Sequence, residues 1–123
     1  MAEYTYSVVI PHYNSPKLLA RMLKSIPERN DIQIIVVDDC SPKEAQDELM
    51  QLQHKGLEVV LQTENHGAGY ARNVGLGKIK GEWCIFVDAD DFFAVNTFEV
   101  FDKHVECNID YINFAISFYN INE

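Results

Sequence analysis

The sequence predicts an α/β fold of three layers, in which helices cover both faces of a mostly parallel sheet. Short, nearly continuous apolar runs, typical of strands buried on both faces, alternate with segments whose apolar residues recur at helical spacing. This alternation produces βαβ units, which build an open parallel sheet. Acidic residues directly follow two of the runs, at the sheet edge where folds of this class bind ligands.

The first strand is expected at Tyr6–Pro11, where the letters YSVVIP form an apolar run. Ser15 and Pro16 then supply an N-cap and a proline at the first helical position. Apolar residues follow at helical spacing along one side of the predicted helix, and Pro27 ends it.

The second strand is expected at Ile32–Val37, with the letters IQIIVV. Glu44 follows Ser41 at the spacing of a capping box, so we expect Ser41 to cap the second helix. This helix is expected to run to about Lys55, and Gly56 fits its C-terminal stop.

The third strand is expected at Glu58–Gln62, followed by a turn at Asn65–Gly69. A helix over Tyr70–Ile79 comes next, and the run WCIFV predicts a fourth strand at Trp83–Val87. The strand and helix order therefore continues the same βα repeat.

The last predicted elements are a helix capped by Asn96 or Thr97, which runs to about Asn108, and a further strand at Tyr111–Tyr119. A sheet that ends on an apolar strand exposes a hydrophobic edge. We therefore expect that the chain, one domain over residues 1–123, is part of a longer protein or pairs through this strand in a homodimer.

The charge balance argues against one class of function. Asp and Glu number 19 against 10 Lys and Arg, which gives a net charge of −9, whereas nucleic-acid binding requires the opposite sign. An acidic protein can still bind a phosphorylated ligand when a divalent cation lies between them. We therefore expect no nucleic-acid partner.

The cysteines and the apolar runs indicate where the protein resides. Cys40, Cys84 and Cys107 lack the C-x-x-C spacing of a zinc or redox site, so we expect free thiols in a reducing compartment. No run approaches the ~20 apolar residues that span a bilayer, and the N-terminus lacks the pattern of a secretory signal. We expect a cytoplasmic protein, with membrane association of a longer parent protein left open.

The sharpest chemical signal is the sequence Asp88-Ala89-Asp90-Asp91 after the fourth predicted strand. Three neighbouring carboxylates repel one another unless a positive charge offsets them, and oxygen ligands of this kind suit Mg²⁺ or Mn²⁺. The alternative is a solvated acidic turn that caps the following helix. The position after a buried strand favours the metal site.

Other segments are weaker signals for a ligand. Asp38 and Asp39 follow the second strand, where a carboxylate either accepts hydrogen bonds from a base or ribose or caps the next helix. The segment NHGAGYARN leads into a helix whose N-terminus, with Gly67 and Arg72, would suit an anion. Tyr13, in the loop after the first strand, could stack on a base or simply belong to a turn.

Four segments in series resemble glycosyltransferase family 2, a family of inverting enzymes with the GT-A fold. They are SVVIPHYN, IIVVDDCSPKE, ENHGAGYARNVGL and GEWCIFVDADD, and they are spread over the range Tyr6–Phe92. The resemblance implies that this chain forms the Rossmann-like nucleotide-binding half of that fold. It implies a nucleoside-diphosphate sugar as donor, usually a UDP-sugar, and a saccharide or a lipid-linked molecule as acceptor.

The resemblance also implies roles for individual residues. Those implied for nucleotide-sugar binding are Pro11, Tyr13, Asp38, Asp39, Gly67, Arg72 and Asp88. Asp88 and Asp90 match the D-x-D motif, in which Asp90, with Asp88 beside it, would coordinate the divalent cation that bridges the diphosphate. The general base that such a reaction requires is expected beyond Glu123, so its identity stays unknown.

Other classes of function fit the residues less well. Nucleotidyltransferases and dinucleotide-binding dehydrogenases carry glycines after the first strand, where this chain has HYNS. A phospho-acceptor receiver domain expects its acidic pair after the first strand, whereas here the pair follows the second. A non-catalytic nucleotide-sugar-binding or interaction domain with a GT-A-like fold stays open as the main alternative.

Overall fold

The computed structural model describes residues 4–105, in which strands and helices alternate along the chain. The strands are β1 (Tyr4–His12), β2 (Ile32–Asp38), β3 (Leu57–Leu61) and β4 (Gly81–Phe86). The helices are α1 (Pro16–Lys24), α2 (Lys43–Leu49), α3 (Ala68–Leu76) and α4 (Thr97–Val105). The predicted α/β fold is confirmed.

The described strands form one sheet in the order β3-β2-β1-β4, and every pair is parallel. β1 lies in the interior, because β2 pairs with one of its edges and β4 with the other. The chain therefore builds the sheet outwards from β1 in one direction and then returns to add β4 on the opposite side. This reversal leaves a crevice at the carboxyl ends of β1 and β4.

Helices cover both faces of the sheet, as expected for strands that are apolar on both sides. On one face, buried side chains of α1, α2 and α4 pack against Tyr6, Val8 and Ile10 of β1. On the other face, Ala71 of α3 packs against Val9. The prediction of three layers is confirmed, and β1 and β2 are buried between the two layers of helices.

Gly75 lets α3 approach the sheet closely. A Cβ atom on this residue would lie 2.5 Å from Cγ1 of Val9 and 3.5 Å from Cγ2 of Val37. Both valines are fully buried, so they have little room to move aside. The absence of a side chain at residue 75 therefore sets the distance between α3 and the two central strands.

The capping box predicted at the start of the second helix is wrong. The residue at the N-cap position of α2 is Pro42, and its helix has no side-chain cap. Ser41 instead donates its hydroxyl to Asp38. The helix also ends at Leu49, whereas the sequence predicted an end near Lys55. The buried carboxylate of Asp38, three residues earlier in the chain, has taken the hydroxyl that the capping box would use.

The remaining element predictions differ only at their ends. Ser15 occupies the N-cap position of α1 without a side-chain hydrogen bond, and α3 begins at Ala68 rather than Tyr70. The predicted extension of the last helix to Asn108 and the strand at Tyr111–Tyr119 lie outside the described residues. Within the described range, every helix is too short to cross a membrane.

Candidate functional site

A pocket of about 270 Å³ opens at the carboxyl ends of the strands, in the crevice between β1 and β4. Its walls come from the end of β1, from the loop and the helix α1 that follow it, from the loops after β2 and β4, and from the start of α3. The lining residues are Pro11, His12, Tyr13, Ser15, Leu18, Asp39, Ala68, Asp88, Ala89 and Asp90. The pocket thus occupies the place where open α/β sheets bind ligands.

Three carboxylates meet at one side of this pocket. One oxygen from each of Asp88, Asp90 and Asp91 lies within 4.8 Å of the others. Asp88 and Asp90 are exposed, whereas Asp91 is buried and accepts a hydrogen bond from the amide of Asp88 at 3.3 Å. Burial raises the pKa of Asp91, and the charges of Asp90 and Asp88 raise it further.

This donor set fits a divalent cation. The carboxylate oxygens are hard ligands and are close enough to share one ion. Burial, and then repulsion from Asp90 and Asp88, raise the pKa of Asp91, and a bound cation would offset that repulsion. Asp90 and Asp88 also line the pocket, so a cation held between them would face its interior. The residues that could hold a metal are therefore Asp88, Asp90 and Asp91.

Arg72 reaches the same cluster from α3. Its Nη2 donates a hydrogen bond to Oδ1 of Asp88 at 2.9 Å, and both side chains are partly exposed. This ion pair joins the middle of α3 to the loop after β4, at the mouth of the crevice. A guanidinium at this point can contact an anion that enters beside the carboxylates.

Asp38 is fully buried below the pocket and does not line it. Its Oδ1 accepts hydrogen bonds from His12 Nδ1 at 2.8 Å and from the Ser41 hydroxyl at 2.6 Å. Its Oδ2 accepts from the Ser41 amide at 3.0 Å and from Gln46 Nε2 at 3.3 Å. Burial would raise the pKa of Asp38, but these hydrogen bonds together hold its pKa below the ordinary value.

The hydrogen bonds of His12 define its tautomer. The amide of Ser15 donates to Nε2 at 3.0 Å, so Nε2 carries no proton and Nδ1 donates its own to Asp38. Ser41 closes the arrangement, because its hydroxyl oxygen accepts a hydrogen bond from the amide of Asn14 at 2.7 Å. Asp38 thereby joins the loop after β1 to the loop after β2 and shapes the pocket from below.

Asp39, unlike its neighbour, does line the pocket. Its carboxylate accepts hydrogen bonds from the amides of His66 and Gly67, each at 2.8 Å. Asn65 also donates its side-chain amide to the Asp39 carbonyl at 3.2 Å. The φ angle of Gly67 is 91°, a conformation that glycine adopts readily, and it directs the amide at Asp39. Asp39 thus sets the position of the start of α3.

The structure brings most of the predicted site residues together. Pro11, Tyr13, Asp39, Asp88 and Asp90 line one pocket, and Tyr13 is half exposed on its wall. Arg72 is attached to them through Asp88, Gly67 lies behind Asp39, and Asp38 forms the buried support.

Sequence reasoning missed the role of His12. A histidine at the end of a buried strand was a signal, but its partner depends on strand register, which places His12 opposite Asp38. It also missed Ser15 and Leu18 as lining residues, because both were assigned only to the helix that they begin.

The pattern that describes Glycosyl transferase family 2 matches residues 7–122. The chain belongs to glycosyltransferase family 2. Among curated relatives, it is 35% identical over 98 residues to the poly(ribitol-phosphate) beta-N-acetylglucosaminyltransferase TarS of Staphylococcus aureus, covering 75% of this chain and 17% of TarS. It is 40% identical over 95 residues to a poly(ribitol-phosphate) beta-glucosyltransferase of Bacillus spizizenii, covering 72% and 15%.

Solved structures of family 2 members agree with the fold. A crystal structure of S. aureus TarS residues 1–349 superposes with a TM-score of 0.72 at 31% sequence identity, covering 83% of this chain and 32% of that one. The chain spans about a sixth of the length of the two curated relatives named above. The similarity therefore concerns the family 2 domain.

Proposed function

We propose that this chain binds a nucleoside-diphosphate sugar, with UDP as the nucleotide, as the donor-binding part of a metal-dependent, inverting glycosyltransferase. The observation that carries the proposal is the pocket at the β1–β4 crevice, where Asp88 and Asp90 stand beside Arg72. A diphosphate needs positive charge around it, and here a cation-binding cluster and a guanidinium occur side by side.

In the proposed complex, Asp90 and Asp88 hold Mg²⁺ or Mn²⁺, and Arg72 contacts the diphosphate. A cation bound there would stabilise the negative charge that develops on the departing nucleoside diphosphate. Asp91, which is buried, holds the turn by accepting the amide of Asp88. Arg72 belongs to α3, whereas Asp88 and Asp90 belong to the loop after β4. The diphosphate would therefore lie between α3 and this loop.

The opposite end of the pocket is suited to the base and ribose. Tyr13 offers a half-exposed ring on which a planar base can stack, with Pro11 next to it. Asp39 lies within the same wall and offers carboxylate oxygens as acceptors. We assign the direct contact with the base to Asp39 rather than to Asp38, because Asp39 lines the pocket and Asp38 does not.

The acceptor is proposed from the relatives. Two of them are named as transferring a sugar to poly(ribitol-phosphate), and a third, of 32% identity, is named minor teichoic acid biosynthesis protein GgaB of Bacillus subtilis. We propose a saccharide or polyol-phosphate polymer as acceptor, in the cytoplasm or at the membrane surface. The general base that removes the acceptor proton has no assigned residue.

Isothermal titration of the 123-residue chain with UDP, with and without Mn²⁺, tests the proposal. We expect binding that Mn²⁺ strengthens at least tenfold, and Asp90→Asn should abolish most of that gain because it removes a metal ligand. Asp47→Asn is the matched control, since Asp47 is an exposed carboxylate on α2 that pairs with Lys43. No heat in either condition would favour an interaction domain without nucleotide binding.

A further inference from the structure

Arg21 holds the acidic loop from the side opposite Arg72. It lies on α1 one turn after Leu18, which lines the pocket. Its Nη2 donates a hydrogen bond to the backbone carbonyl of Asp90 at 2.7 Å. Its guanidinium carbon also lies 4.9 Å from the centroid of the Phe92 ring, within the range of a cation–π contact.

α1 holds the same loop at a second point. The hydroxyl of Ser25, at the C-cap of α1, accepts a hydrogen bond from the amide of Phe93 at 2.9 Å. Arg21 and Ser25 thus fix the backbone on both sides of Phe92. Because α1 packs on the sheet through buried Leu19, Met22 and Leu23, it provides a rigid frame for the loop.

Arg21 and Arg72 act on the cluster in different ways. Arg72 binds a carboxylate oxygen of Asp88 directly, so it neutralises a potential metal ligand. Arg21 binds only a backbone carbonyl, and the Asp90 side chain is left exposed at the pocket wall. The contacts of Arg21 therefore fix where the Asp90 carboxylate points without competing for it.

We propose that Arg21 is a positioning residue, which holds the Asp88–Asp91 loop so that the Asp90 carboxylate is presented to the cation. The presence of a cation in this inference rests on the proposed function. The role of Arg21 in holding the loop does not, because it follows from the contacts of Arg21 alone. It assigns to α1 a role in metal affinity, beyond its place in the core.

The sign of the effect separates this role from simple electrostatics. Arg21 carries a positive charge close to the cluster, since its guanidinium donates to the backbone carbonyl of Asp90. By Coulomb's law alone, removing a nearby positive charge would strengthen binding of a divalent cation. Loss of a positioning contact weakens it instead, typically tenfold or more for groups that orient metal ligands.

The experiment compares Arg21→Met and Arg21→Lys with the unaltered chain, using Mn²⁺ titration in the presence of UDP. Both variants should bind Mn²⁺ about tenfold more weakly, Arg21→Lys included, because lysine keeps the charge but not the planar group that stacks on Phe92. Lys24→Met is the control, since it removes a positive charge from an exposed position on the same helix. It should leave the Mn²⁺ affinity unchanged.

Hydrogen exchange of the metal-free protein gives a second measurement. The amides of Asp91 and Phe93, which bond to Asp88 O and Ser25 Oγ, should exchange faster in the Arg21 variants while the amides of β1 stay protected. Unchanged or tighter Mn²⁺ binding in both variants, or unchanged exchange in the loop, would overturn the proposal. An unaltered chain that binds no Mn²⁺ would instead overturn the proposed function and, with it, the metal role of Arg21.

Discussion

Arg72 Nη2 lies 2.9 Å from Asp88 Oδ1, and this pair joins α3 to the loop after β4 at the mouth of the pocket. Both partners are partly exposed, so solvent screens their attraction and the pair contributes little to stability. Each partner also has a second candidate partner in the proposed complex, the diphosphate for Arg72 and the cation for Asp88. Binding of the proposed ligands would therefore rearrange the ion pair between Arg72 and Asp88.

Replacing Arg72 should weaken nucleotide binding with little effect on stability. Arg72→Gln removes a charged donor that would face the diphosphate in the proposed complex, so we expect UDP affinity in the presence of Mn²⁺ to fall about tenfold. The free energy of unfolding should change by less than about 0.5 kcal/mol. Titration calorimetry and urea denaturation measure the two quantities.

Lys78→Gln is the matched control for Arg72→Gln. Lys78 forms a comparable surface pair with Glu58 at 3.6 Å, and neither residue lines the pocket. The UDP affinity of the Lys78→Gln variant should equal that of the unaltered chain. Equal affinities for all three proteins would remove Arg72 from the proposed site.

Replacing Asp38 should destabilise the fold. Asp38→Asn turns one acceptor oxygen into a donor that faces the donors of Ser41 and His12, all of them buried. We expect the free energy of unfolding to fall by about 2–4 kcal/mol in urea denaturation at neutral pH. Asp47→Asn, on the exposed side of α2, should change it by less than about 0.5 kcal/mol.

The pH dependence gives the same prediction a second measurement. The pKa of Asp38 is lowered in the folded state, so its contribution is complete above the unfolded value of 3.8 and is lost as pH falls through the folded pKa. The difference in the free energy of unfolding between the unaltered chain and Asp38→Asn should therefore shrink below pH 3.8. A variant that keeps full stability but loses UDP binding would instead make Asp38 a direct ligand of the base.

Replacing Asp91 should stabilise the metal-free protein. The pKa of Asp91 is raised in the folded state, so its ionisation opposes folding, and this penalty develops as pH rises from 3.8 to the folded pKa. Asp91→Asn removes the charge and keeps an oxygen for the amide of Asp88. We expect a gain on the order of 1 kcal/mol at neutral pH in thermal denaturation with a chelator present.

Mn²⁺ should make the unaltered chain more stable than Asp91→Asn, the reverse of their order in the metal-free state. A ligand that binds only the folded state stabilises it by about 2.7 kcal/mol at a concentration a hundred times its Kd. The unaltered chain should gain this stabilisation, and Asp91→Asn should gain less because its cluster has lost a carboxylate. Equal gains would show that Asp91 takes no part in cation binding.

Adding a side chain at Gly75 should push α3 away from the sheet. The new Cβ would overlap the Val9 side chain, which is fully buried, so Gly75→Ala should cost about 1–3 kcal/mol. Gly69→Ala is the control, because its Cβ meets nothing within 4 Å and alanine favours a helix. Urea denaturation should find Gly69→Ala at least as stable as the unaltered chain, and a similar result for Gly75→Ala would contradict the packing described here.

The sequence predicted the strands, the order of elements and most of the pocket walls, because the carboxyl ends of parallel strands share one edge of the sheet. Asp39, Asp88 and Asp90 were therefore expected together, and the structure places them in one pocket. Strand order also brings Arg72 to the cluster, since α3 leads directly into β4.

What the sequence did not predict depends on which side chains face the pocket, which polar groups are buried and which distant segments meet. The difference between Asp38 and Asp39 follows from the alternation of side chains at the strand end, which directs Asp39 to the pocket and Asp38 away from it. Ser41 was expected to cap a helix because capping is a local pattern, whereas the buried charge of Asp38 binds it more strongly. The tie between Arg21 and Asp90 joins residues 69 positions apart and leaves no local signal.

The position of β4 determines when the pocket can form during synthesis. The ribosome releases β1, α1, β2, α2 and β3 first, and in the folded protein β2 and β3 lie on one side of β1. The opposite wall, which carries Asp88 and Asp90, must wait until β4 emerges and pairs with the free edge of β1. A chain that ends before β4 therefore carries Pro11, Tyr13 and Asp39 but lacks the pocket wall that Asp88 and Asp90 form.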